Sequence, residues 1–69
     1  MLTESKLQEA LESLIDGNSL SAVLSALETV CGEKAEHVRC NWQDEPLALA
    51  WDDAGKRIGK ALSMIGAEI

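Results

Sequence analysis

Glu33, Glu36, His37 and Cys40 are the residues of this chain whose types and spacing could do chemistry. On a helix they share one face, because side chains three and four positions apart stand above one another. Glu33 and His37 are related as i,i+4 and His37 and Cys40 as i,i+3, spacings that let two side chains reach one metal ion, as in helical-bundle sites. Such sites draw their ligands from facing helices inside a core, whereas this face lies opposite the apolar stripe of its own segment. The expected reading is therefore a solvated face. The alternative is a metal- or redox-binding helical protein using Glu33, His37 and Cys40. An exposed Cys40 thiol could also bridge two chains or sense oxidants, while Cys31, on the apolar face, reads as core filler.

Other chemistry is thinly supplied. The chain has one histidine and lacks a dinucleotide fingerprint, a phosphate-binding loop, a His-Glu-x-x-His helix and a nucleophile elbow. Glu28, Asp52 and Asp53 look like ordinary surface acids, and a thin helical core leaves no room for a large apolar pocket. No enzymatic activity and no cofactor are expected.

Charge and cysteine usage narrow the partners. Twelve acidic residues against six basic ones give a net charge of −6, which argues against direct binding of a nucleic acid, since clustered Lys and Arg are needed to displace phosphate counterions. No apolar run approaches the length of a membrane span, and Met1-Leu2-Thr3-Glu4 has no signal-peptide character. Cys31 and Cys40 lie nine positions apart in one helical stretch, a rise of roughly 13.5 Å, too far for a disulfide without breaking the helix. Reduced thiols and a cytoplasmic setting are expected.

The elements that must position these groups are three helices in one domain, residues 1–69. Thr3 caps the first, over about 4–16, with Leu2 and Leu7 placed as a hydrophobic staple. Its stripe is Leu7, Ala10, Leu11, Leu14 and Ile15, closed by the left-handed-tolerant Gly17. The second runs over about 19–42. Leu20, Val23, Leu24, Leu27, Val30, Cys31, Ala35, Val38 and Trp42 stay in phase through Gly32, so this glycine is not expected to break the helix. Gln43-Asp44-Glu45-Pro46 supplies a cap, an acid and a first-turn proline for the third, over about 45–65. Its stripe is Leu47, Ala50, Trp51, Ala54, Ile58, Ala61, Leu62 and Ile65, with Asp52–Lys56 and Asp53–Arg57 as i,i+4 ion pairs.

A short link between two long helices predicts an antiparallel hairpin. With the turn centred near Asp44, Cys31 falls beside Ile58 and Leu24 beside Ile65, and Trp42 and Trp51 form the distal core. The short first helix is expected in the groove between the other two. The fold class is thus all-α, a short N-terminal helix packed on a long antiparallel helical hairpin, in a three-helix bundle.

Gly55, Gly59 and Gly66, beside Ala48 and Leu62, make a smooth edge on the third helix that another backbone could approach closely. The first helix, a second copy or another protein are the candidate occupants. Leu49, Met64, Ile65 and Ile69 are the residues expected to remain as exposed apolar surface. The leading reading is a small acidic, non-enzymatic interaction or regulatory module acting through helix faces, with a protein partner, and homodimeric. An acidic inhibitor that mimics nucleic acid before a nucleic-acid-handling protein is the alternative.

Overall fold

Three side-chain caps open the three helices of the computed structural model, which describes residues 3–66 and 68–69. Thr3 Oγ1 accepts from the Lys6 N–H at 3.2 Å and begins α1 (Glu4–Gly17). Ser19 Oγ accepts from the Ala22 N–H at 3.0 Å and begins α2 (Leu20–His37). Asp44 Oδ1 accepts from the Leu47 N–H at 3.1 Å and begins α3 (Glu45–Met64), with Pro46 in its first turn. Each oxygen satisfies a donor that the first turn of a helix leaves free. The Leu2 half of the expected staple lies outside the described residues. The end of α1 differs in detail from expectation. Gly17 keeps negative φ, and Asn18 closes the helix, its Nδ2 donating to the Leu14 carbonyl at 2.9 Å and its N–H to that of Ile15 at 3.3 Å.

The second helix runs through Gly32 without interruption and then widens into a π-helical turn, Val38–Trp42. In such a turn hydrogen bonds skip to i+5, so each residue advances less around the axis than in an α-helix. One sequence expectation fails for this reason. Trp42 lags behind the apolar face and is 65% exposed instead of filling a distal core. Its ring meets His37 edge-on, with centroids 6.0 Å apart. Gln43 then reverses the chain with a left-handed φ of 52°.

The architecture is all-α: α1 packs on α2, and α2 with its π-helical extension packs antiparallel on α3. This is the three-helix bundle with a short N-terminal helix on a long hairpin. Its core lies between α2 and α3, where Cys31, Ala35, Val38, Ala48 and Gly55 are buried. Small residues dominate that contact, so α3 is turned from its expected orientation. It presents Ala48 and Gly55 to α2, while Leu47, Ala50 and Ala61, which hydropathy assigns to the core, remain exposed. The hairpin register also moves. Because the reversal is at Gln43, Cys31 stands by Gly55 and Glu28 by Gly59, in place of the expected pairing of Cys31 with Ile58.

At the other end of the hairpin the C-terminal residues return to α2. The carbonyl of Ile69 accepts from the backbone N–H groups of Leu20 and Ser21, and Ser21 Oγ donates to the Gly66 carbonyl at 3.2 Å. Free donors at the N-terminus of α2 are thereby satisfied.

The position of α1 is the main departure from expectation. It touches α2 and, among the described residues, makes no contact with α3, so it does not fill the groove of the hairpin. The Cα envelope measures 37 × 30 × 14 Å with a radius of gyration of 13.8 Å, against about 11 Å for a compact domain of this length. The three helices thus form an open arrangement, with α1 on α2 alone.

Candidate functional site

An amphipathic helix that meets only one neighbour leaves part of its apolar face uncovered. Here the uncovered face belongs to α1 and α2. Leu7, Leu11 and Leu14 follow one stripe of α1, and all three are exposed, from 38% for Leu11 to 52% for Leu14. Leu27 and Val30 of α2 are exposed as well. None of the residues of α1 is buried.

Between the two helices runs a groove of about 270 Å3. Leu11 and Leu14 form one wall, Leu27 and Val30 the other, and Ala22 and Ala26 stand among the α2 residues that line it. Ala22 and Ala26 are one helical turn apart and carry only methyl groups, which lets another helix come close. No charged residue lines the groove, although α1 carries Glu4, Glu9, Glu12 and Asp16 on its other positions. Apolar walls around a small-residue floor suit the ridge of an amphipathic helix. The signal for this surface was present in the sequence. The α2 segment is apolar around more than half its girth, with Leu20, Ala22, Val23, Leu24, Ala26, Leu27, Val30 and Cys31, and a helix apolar on two sides needs partners on both.

The glycine edge of α3 has its neighbour within the chain. Ala48 and Gly55 are buried, and the backbone that approaches Gly55 is that of α2: a Cβ at residue 55 would stand 3.3 Å from Cys31 Cβ and 3.7 Å from the Glu28 carbonyl oxygen. The Glu28 carboxylate lies over Gly59. Gly59 and Leu62 are half-buried and Gly66 is exposed. The close approach foreseen for this edge is thus made by α2, and neither α1 nor a second chain is needed for Ala48 and Gly55.

Glu33, Glu36, His37, Cys40 and Asn41 do line one open depression along α2 and the π-helical turn. Within it, Cys40 Sγ lies 4.0 Å from Glu36 Oε1, and Asn41 Nδ2 donates to the His37 carbonyl at 3.0 Å and stands 3.2 Å from His37 Nδ1. Among the described residues no three His, Cys, Asp or Glu side chains gather closely enough to hold a metal ion, so Glu33, His37 and Cys40 do not form the ligand set that their spacing allowed. Both cysteines are free thiols, Cys31 buried and Cys40 exposed.

Arg39 is a structural residue that the sequence reading missed. From the π-helical turn its guanidinium reaches Glu45 at 3.0 Å and Asp52 at 2.9 Å. Asp52 is thereby engaged across the hairpin in place of the expected Lys56, whereas Asp53 and Arg57 pair at 2.8 Å as their spacing predicts. Hydrogen bonds to Glu45 and then Asp52 make Arg39 hold its proton more tightly than an ordinary arginine. Glu45, Asp52 and Asp53 are acids occupied by bases of the same chain.

Leu49, Met64 and Ile69 are exposed and Ile65 half-buried. These residues are spread along α3 and beyond it, and they do not line the α1–α2 groove. Among the described residues, no helix is long and apolar enough to cross a membrane. No family model, curated protein or solved structure matches the chain.

Proposed function

We propose that this chain is a small acidic, non-enzymatic interaction module that acts through the apolar groove between α1 and α2. The observation that carries the reading is that Leu7, Leu11, Leu14, Leu27 and Val30 are exposed together, where a monomeric domain ordinarily scatters such residues singly. The groove is lined without charge while the chain as a whole carries −6, so acids supply solubility and the neutral face supplies contact. Free thiols at Cys31 and Cys40 suit a reducing, cytoplasmic setting. The role is regulatory or adaptive: binding through this face changes what a partner can do, and no bond is made or broken in the chain itself.

The test is the double substitution Leu11→Glu with Leu27→Glu, both at exposed positions. The variant should keep its helical circular dichroism signal and lose association with every chain, its own copies included, that the unmodified protein retains in affinity capture from its native host. Unchanged capture by a folded variant would contradict the proposal.

A further inference from the structure

We infer that the occupant of the α1–α2 groove is a second copy of this chain, whose own α1 lies in it, so that the two α1 helices and the two α2 helices form a four-helix core across a twofold axis. This deepens the reading of the groove as an interaction face and rests on it. Three observations converge on a second copy, and a fourth sets how the pair responds to salt.

The first is area. The chain exposes 5366 Å2, whereas a monomer of 7.4 kDa ordinarily exposes about 4,200 Å2. The surplus of about 1,200 Å2 exceeds the roughly 800 Å2 that each partner buries in an interface of standard size.

The second is the state of α1. A helix of 14 residues with nothing buried is marginal in water by itself. Something must cover Leu7, Leu11 and Leu14, and α3 does not.

The third is self-complementarity. One surface carries both the unpaired leucine ridge of α1 and a groove lined with small residues at Ala22 and Ala26. A twofold contact brings each patch onto its own copy and requires this property. Placing α1 of one copy in the groove of the other supplies ridge to groove twice.

The fourth is charge. Two copies of net charge −6 repel, and the contact tolerates this because the groove lining is neutral. Added salt screens the remaining repulsion and should tighten the pair.

The experiment is analytical ultracentrifugation of the purified full chain from micromolar to millimolar concentration, at low and at moderate salt, beside Leu11→Glu and Leu49→Glu. The expected result is a mass rising toward twice 7.4 kDa, more readily at moderate salt, with Leu11→Glu monomeric and Leu49→Glu unaffected. A dimer that persists in Leu11→Glu overturns the inference by placing the contact elsewhere. So does a monomer at every concentration, and binding of a hydrophobic dye then separates the two levels. A monomer that binds the dye through this face, with binding lost in Leu11→Glu, retains an open interaction surface for a different chain. A monomer that binds none and has a radius of gyration near that of a compact domain has folded α1 over its own hairpin, and the interaction reading fails with the dimer.

Discussion

Cys31 of α2 and Gly55 of α3 meet so closely that a methyl group on residue 55 would stand 3.3 Å from the Cys31 Cβ. This contact sets the spacing of the hairpin. Gly55→Leu should force the helices apart and destabilise the fold by about 1–3 kcal/mol, a large share of the roughly 3–5 kcal/mol that a core of this size supplies. Gly32 is the contrasting case, since a Cβ there meets nothing within 4 Å. Gly32→Ala should stabilise by about 1 kcal/mol through helix propensity alone. Urea unfolding of both variants checks the pair, and shifts of the same sign would contradict the assigned packing.

The chain reversal makes a second prediction. Gln43 holds a φ of 52°, a conformation that an L-residue adopts at a penalty of roughly 1–2 kcal/mol and glycine adopts freely. Gln43→Gly should raise the urea midpoint, by less than that penalty because glycine also loosens the unfolded chain. Gln43→Val should lower it. If both substitutions moved the midpoint alike, the reversal would not lie at this residue.

Arg39 gives a third, with a definite dependence on pH and salt. Its proton affinity is raised in the folded chain by Glu45 first and Asp52 second, so its contribution is fully present below the ordinary arginine range and is lost only as pH rises through the folded value. The difference in melting temperature between the unmodified chain and Arg39→Gln should therefore stay constant from neutral to mildly alkaline pH. That difference should exceed the one for Arg57→Gln, whose guanidinium reaches a single acid, and should shrink with added salt because all these groups are partly exposed. Equal effects of the two substitutions would show that the bridge across the hairpin contributes nothing beyond a surface pair.

The parts of the fold that depend on neighbouring residues were legible in the sequence. Thr3 and Asp44 cap the helices that their positions announce, and the unbroken phase through Gly32 correctly makes one helix of Leu20–His37. Three other features depend on what lies across the fold. Hydropathy ranks Leu47 above Gly55 as core, yet close helix contact favours the smaller residue, so α3 turned its small edge inward. The π-helical turn left Trp42 outside, a change of winding that a fixed advance per residue cannot anticipate. Arg39 is thirteen positions from Asp52, beyond any local pairing rule.

The apolar stripe of α1 was equally visible, but its expected burial in the hairpin groove is not what the structure has: Leu7, Leu11 and Leu14 are exposed. Hydropathy carries no information about which surface does the covering. The expected groove of the hairpin was already narrowed by the contact of Ala48 and Gly55 with α2, and α1 was left resting on α2 alone.

The most direct measurement is an isotope-filtered nuclear Overhauser experiment on a mixture of labelled and unlabelled chains at millimolar concentration. Cross-peaks between methyl groups of Leu11 or Leu14 in one copy and of Ala22 or Ala26 in the other are expected, because the α1 ridge of each chain lies in the groove of its partner. Intermolecular cross-peaks confined to other residues, or none in a sample that sediments as monomer, would contradict a second copy on the α1–α2 face.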